Sequence, residues 1–309
     1  MNILLFGASG QVGWELQRSL APLGLVTALS HAEGDLEQPL AERLAAARPD
    51  LIVNAAAYTA VDKAESEPER ALRINATAVG EMAQAATATG ALLVHYSTDY
   101  VFDGAKASPY LESDATGPLS VYGQTKLAGE VAIRESGCRH LIFRTSWVYA
   151  LRGKNFAHTI LGRARSLDRL QVVADTFGVP TSAELIADVT ALAVHRLQAQ
   201  RSDASAAAAG TADPARAGGT YHLVPSGETT WHGYATYLIA QAREAGMALT
   251  VADSAIAPVP ASTFAAPARR PLNSRLSNRR LELDFGLQLP DWRLHVQRFA
   301  RSLAATSGG

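Results

Sequence analysis

The chain has 309 residues, 48% of them hydrophobic and 18% charged. This is a globular composition, long enough for one large or two ordinary domains around a sizeable core. A net charge of −1 at pH 7 argues against a general nucleic-acid binder, which carries a basic excess. The single cysteine, Cys138, excludes a disulfide framework and a cysteine-rich zinc site. The opening Met1-Asn-Ile-Leu-Leu-Phe6 lacks the basic and long apolar regions of a signal peptide. No stretch approaches the ~18 apolar residues of a membrane helix. A cytoplasmic protein with neither nucleic acid nor membrane as partner is expected.

In chain order, strands are expected at 3–6, 25–29, 51–53, 92–96 and 140–144, with helices at 12–20, near 40–47 and between the later strands. Apolar strands alternating with helices predict an α/β fold, a doubly wound parallel (Rossmann) sheet covered on both faces. Beyond residue 150 the alternation becomes irregular. Helices are expected at 155–165, 183–198 and 231–245, and a returning strand at 221–224. A final amphipathic helix after Pro290 places Trp292, Val296, Phe299 and Leu303 on one face. The expected division is a dinucleotide-binding domain over 1–150, with returning segments near 178–199 and 219–226. A smaller, discontinuous α/β substrate domain takes 151–177 and 227–309. Residues 200–219, rich in Ala, Ser and Gly, are expected to form a mobile insertion.

Gly7-Ala-Ser-Gly10-Gln-Val-Gly13 joins the first strand to the first helix. Glycines there permit a tight turn and close approach of backbone to a pyrophosphate. The helix start at Gly10, Gln11, Val12 and Gly13 offers free N–H groups and a positive dipole end. A dinucleotide-binding site is the reading this context favours over a glycine turn without a ligand. The GxxGxxG spacing resembles the extended short-chain dehydrogenase/reductase superfamily. The second strand ends at Leu29-Ser30-His31, with neither the acid that selects NAD nor an arginine for a 2′-phosphate. Weak discrimination between the two cofactors is expected, with Ser30 near the ribose. In the relatives the pair equivalent to Asp35-Leu36 reaches the adenine. Small residues at Ala55, Ala56 and Ala57, followed by Tyr58, leave room for a cofactor along the strand ends.

Tyr122-Gly-Gln-Thr-Lys126 puts Tyr122 and Lys126 on one helix face. Alone, such a pair is an ordinary surface pair; behind a GxxGxxG turn and a fourth strand it reads as catalytic. A phenol of pKa near 10 is a sluggish proton donor, and a nearby ammonium lowers that value. Relatives place a Ser or Thr hydroxyl after the fourth strand, which implies Thr98 beside Ser97 as a third catalytic group. They also carry an asparagine that orders the lysine, at the position of Asn75.

Ser97-Thr-Asp-Tyr-Val-Phe-Asp-Gly104, Val121-Tyr-Gly-Gln-Thr-Lys-Leu-Ala-Gly-Glu130, Phe143-Arg-Thr-Ser-Trp-Val-Tyr149 and Pro267-Ala-Arg-Arg-Pro-Leu-Asn-Ser-Arg-Leu276 resemble the dTDP-4-dehydrorhamnose reductase family. The resemblance implies NADPH- or NADH-dependent reduction of the 4-keto group of a dTDP-sugar substrate. It implies substrate contacts at Thr98, Asp99 and Trp147, and at Asn155, Arg270 and Asn273 towards the diphosphate. Some members are homodimers bridged by Mg2+, and Glu15, Glu184 and Asp291 match the acidic positions; three scattered surface acids are the other reading. Two alternatives stay open. One is an epimerase or dehydratase of the same superfamily, although Thr98 lacks the dehydratase's following Asp-Glu pair. The other is a non-catalytic NADP-binding regulatory protein.

Overall fold

Ile3 and Leu5 point to one side of the first strand, Leu4 and Phe6 to the other, and all four are buried. That period-two burial on both faces marks a strand inside a covered parallel sheet. The computed structural model describes residues 1–206 and 218–307. It contains a six-stranded sheet. The strands are β1 (Asn2–Phe6), β2 (Leu25–Leu29), β3 (Leu51–Asn54), β4 (Leu92–Thr98), β5 (His140–Thr145) and a last strand, Gly219–His222. Their spatial order is Gly219–His222, β5, β4, β3, β1, β2, and every pairing is parallel. The chain turns from one side of β1 to the other between β2 and β3, so a crevice opens past the C-terminal ends of β1 and β3.

Helix α1 (Gln11–Leu20) and helix Ala183–Ala206 pack on one face of the sheet, helix Ala78–Thr89 on the other. A third core lies beside the sheet. It gathers helices Phe156–Ser166, Trp231–Glu244 and Trp292–Ser307 around Tyr149, Tyr234, Trp292, Val296 and Phe299. Two short strands, Leu170–Val173 and Ile256–Val259, pair beside it. No helix among the described residues is long and apolar enough to cross a membrane.

The alternation after residue 150 differs from expectation in two places. The returning strand is Gly219–His222 rather than 221–224. Its ladder runs against Leu141–Arg144, and the bond from Leu223 N–H to the Arg144 carbonyl closes it. The helix expected to end at residue 198 runs to Ala206, as its alanines favour. The remainder of the expected insertion, 207–217, lies outside the described residues.

Helix Val121–Glu135 is fastened to the sheet by one buried carboxylate. Glu130 accepts from Arg144 Nε at 2.9 Å, Arg144 Nη2 at 2.7 Å, Ser97 Oγ at 2.6 Å and Arg134 Nη1 at 3.0 Å. These partners hold the Glu130 carboxyl below the usual range against the opposing effect of burial. Glu130→Ala strands the Arg144 guanidinium in the interior and should cost ~3–5 kcal/mol in urea unfolding at neutral pH. Because the folded pKa is depressed, the pair's contribution is complete above the unfolded value of about 4.3. It disappears as pH falls through the folded value. The gap between wild type and variant should therefore narrow in acid.

Candidate functional site

The glycine-rich turn is built by contacts that leave no room for side chains. Gly7 has φ +79°, and a Cβ on Gly13 would meet the Gly7 carbonyl at 2.0 Å. Helix α1 thus starts hard against β1. No side chain caps its first turn and no acid occupies it, which leaves the N-terminal N–H groups available to an anion. Gly7, Gly10, Gln11 and Val12 line a cavity of about 600 Å3, together with Asp35, Leu36, Ala55, Ala56, Ala57 and Tyr58. Its far wall carries Ser97, Tyr122 and Lys126. Volume, glycine cradle and uncapped helix start fit a dinucleotide.

Ser120 caps the helix that bears Tyr122, accepting from Gly123 N–H at 3.2 Å. One turn separates Tyr122 from Lys126, and both face the cavity. Thr98, at the end of β4, lies beside the Tyr122 hydroxyl. Burial pushes the Tyr122 phenol up to about 12, with Thr98 opposing and Asp99 adding to the shift. Burial also lowers Lys126 to about 8, against the opposite pull of Glu130. Lys126 Nζ donates to the Tyr96 carbonyl at 2.6 Å and lies 3.3 Å from His95 Nε2. Thr98 Oγ1 also donates to Asp99 Oδ1 at 3.1 Å. Burial raises the Asp99 carboxyl to about 6, although Thr98 hydrogen-bonds it.

A second cavity of about 400 Å3 is lined by Trp147, Trp231, Phe264, Arg270 and Tyr100. Trp147 has φ +48°, a strained conformation for a bulky residue. Its ring stacks on Trp231 with centroids 3.7 Å apart. Arg270 Nη2 donates to Asp62 Oδ2 at 2.7 Å.

Several expected residues stand elsewhere. Asn273 is buried, and its amide donates to the Lys106 and Ser108 carbonyls at 2.6 and 2.9 Å. It clamps a loop and does not line the second cavity. Asn155 caps its own helix and donates to Gln11 Oε1 at 2.9 Å, so it belongs to the glycine-turn side and not to the second cavity. Asn75 sits on a π-helical turn, Arg73–Thr77. Its amide bonds the Tyr58 backbone and Thr125 and makes no bond to Lys126. Gly13 packs beneath the turn and does not line the cavity.

The expectation of no acid beside Ser30 is corrected. Glu33 folds back so that its Oε2 accepts from Ser30 N–H at 2.9 Å and Ser30 Oγ at 2.7 Å. Arg70 reaches the cavity wall from helix Pro68–Leu72, held by Glu37 at 2.7 Å. Of the three acids expected at a metal, Glu15 and Glu184 line one small cavity, where burial and Glu184 raise the Glu15 carboxyl. Glu184 faces His295 and Arg298, and Asp291 is paired with Arg293. Among the described residues no group of three or more His, Cys, Asp or Glu side chains could hold a metal ion. Sequence reasoning missed His95, Asn54, Glu33 and Arg70, whose roles depend on neighbours distant in the chain. Glu130 carried a signal: it lies one turn beyond Lys126.

The family described as RmlD substrate binding domain matches residues 1–305. The chain is 51% identical to the dTDP-4-dehydrorhamnose reductase of Escherichia coli K12, with 99% of each chain covered. A solved dTDP-4-dehydrorhamnose reductase from Clostridium acetobutylicum superposes with TM-score 0.85 at 32% identity, covering 98% of this chain and 99% of that one. One from Bacillus anthracis, in complex with NADP, gives 0.82 at 31% identity, covering 96% and 97%. The chain is an NAD(P)H oxidoreductase, and it belongs to the dTDP-4-dehydrorhamnose reductase family.

Proposed function

We propose that the chain reduces the 4-keto group of dTDP-4-dehydro-β-L-rhamnose to dTDP-L-rhamnose with NADPH or NADH. What carries the reading is that Tyr122 and Lys126 share one wall of the dinucleotide-sized cavity, with Thr98 at the Tyr122 hydroxyl. The reduced nicotinamide, when bound, supplies a hydride. Tyr122 is the general acid. Its burial keeps the phenol protonated at neutral pH, so it has a proton to give as the carbonyl oxygen gains charge. Thr98 Oγ1 becomes a second donor for that oxygen by turning its one O–H away from Asp99 Oδ1. Lys126, as ammonium, favours the phenolate that Tyr122 becomes.

The second cavity is proposed to take the sugar nucleotide. The Trp147–Trp231 stack offers a flat apolar wall for the hexose. Asp99 accepts from a sugar hydroxyl, and Arg270 faces the diphosphate with bidentate geometry. In this reading 1–150 with the segments near 178–199 and 219–226 serve the cofactor, and 151–177 with 227–309 serve the substrate. The third core, which draws most of its residues from 151–177 and 227–309 and is joined by Val101, Phe102, Tyr110, Tyr149, Val179 and Val224, supports that division.

The decisive experiment mixes protein, NADPH and the keto sugar nucleotide and follows absorbance; oxidation of NADPH only when the sugar is present is expected. Tyr122→Phe keeps the ring and loses the donor. It should bind NADPH as wild type does and lose about 10²–10⁴-fold in kcat. Retention of more than roughly a tenth of wild-type kcat would remove Tyr122 from this role.

Cofactor choice follows from Glu33. A carboxylate held at the tip of β2 repels a 2′-phosphate, while Arg70 is occupied by Glu37 and Glu67. The kcat/KM values for NADPH and NADH should lie within about two orders of magnitude, each tenfold being ~1.4 kcal/mol. Glu33→Gln should shift the ratio towards NADPH by roughly threefold to tenfold. An unmoved ratio would mean that the ribose lies away from Ser30.

A further inference from the structure

Behind Lys126 lies a histidine that the hydride-transfer scheme leaves unused. His95, Asn54 and Lys126 are all buried. His95 and Asn54 are register partners across β4 and β3. The Asn54 amide is held between two neighbours. Its Oδ1 accepts from the Ala56 backbone N–H at 3.1 Å, and its Nδ2 lies 3.2 Å from His95 Nδ1. A backbone N–H can only donate, so the amide oxygen faces Ala56 and the NH2 faces the ring. His95 Nδ1 is then the acceptor, and the hydrogen of the neutral ring sits on Nε2. That nitrogen is 3.3 Å from Lys126 Nζ. Facing an ammonium, an N–H is donor against donor. Facing a neutral amine, the same N–H makes a hydrogen bond.

We propose that His95, locked by Asn54 in the Nε2–H tautomer, is a positioning residue that loosens the hold of Lys126 on its proton. As ammonium, Lys126 has the Tyr96 carbonyl as a firm acceptor, and it meets an opposing N–H at His95. When Lys126 gives up a proton, its new lone pair accepts from His95 Nε2–H without any rearrangement of Asn54. The proton goes to the phenolate that Tyr122 leaves after protonating the product. The Nζ–H bond breaks, its electron pair stays on nitrogen, and the phenol O–H bond forms. Solvent then reprotonates Lys126. His95 is neither oxidised nor protonated in the cycle. Glu130 pulls the other way from the next turn of the same helix, and its carboxylate is shared with Arg144 of β5 and Arg134. Asp99 is a titratable group beside Tyr122.

The proposal rests on Tyr122 and Lys126 being the acid pair; its first test does not. Nitrogen-15 NMR of the intact protein distinguishes protonated from bare ring nitrogens. Comparison with His95→Gln picks out His95 among the eight histidines. Nδ1 bare and Nε2 protonated from about pH 6 to about pH 9 is expected. An Nδ1–H tautomer, or a charged ring at neutral pH, overturns the proposal. The second test reverses the tautomer. In Asn54→Asp a carboxylate accepts from Nδ1–H, which frees Nε2 to accept from the ammonium. The alkaline limb of the kcat profile for keto-sugar reduction should move up by about one pH unit, a tenfold gain in proton affinity. KM for the keto sugar should stay within about twofold. His95→Gln, whose amide oxygen can turn to Nζ, should move the limb in the same direction. A limb unmoved in whichever variant folds overturns the proposal. Absence of any keto-sugar turnover in the wild type would instead strike the proposed function, with the tautomer read independently.

Discussion

A carboxylate with no water around it must be met by donors, and Glu130 has them on every side. Two come from Arg144 on β5, one from Ser97 on β4 and one from Arg134 on its own helix. The helix that bears Tyr122 and Lys126 is therefore fixed in rotation and in height over the sheet. Rotation matters because the Tyr122 and Lys126 side chains must both reach the crevice. Height matters because Thr98, at the end of β4, must meet the Tyr122 hydroxyl. The ion pair need add little net stability relative to an apolar substitute. Its consequence is geometric: it specifies one seating of the helix.

The sheet was legible because its strands obey simple burial rules. Ile3 to Phe6, Leu51 to Val53 and Leu92 to Tyr96 are apolar runs of strand length, and each proved buried on both faces. The glycine-rich turn and the Tyr–Lys spacing are local, so sequence order exposes them. What stayed hidden was whatever joins distant segments. Glu33 reaches Ser30 only because the loop after β2 turns back, with Gly34 N–H bonded to the Ser30 carbonyl at 2.9 Å. The family resemblance implies Asn273 as a contact towards the diphosphate. In the fold its amide is spent on the Lys106 and Ser108 carbonyls. His95 read as one more residue of an apolar strand. Only the parallel register of β3 with β4 sets Asn54 against it.

The two cavities differ in the physics of their walls. The first is shaped by backbone and small residues, from the glycine turn to Ala55, Ala56 and Ala57. Such walls recognise a ligand by close approach and N–H donation and carry little conformational entropy to lose. The second is walled by large side chains, Trp147, Trp231 and Phe264, with one guanidinium, Arg270. Trp147 is held at φ +48° between Gly178 and Trp231. Backbone strain of that kind persists only where surrounding packing fixes it, and here the packing comes from a core separate from the sheet.

Desolvation acts on the Tyr–Lys pair in one direction for charge and in two directions for pKa. Burial disfavours the phenolate, so Tyr122 rises to about 12. The same burial disfavours the ammonium, so Lys126 falls to about 8. The separation between donor and phenol thus reverses relative to free side chains, where the two values nearly coincide. A lysine that releases its proton more easily than the tyrosine beside it is downhill as a source for that tyrosine. In the proposed reduction the carbonyl oxygen takes one proton per turnover, and the phenol is its proposed source. Under that proposal the proton rests on the group that gives it, and the neighbouring lysine is the group that restores it. Reversal would require the phenolate to form first in a site whose burial opposes that charge.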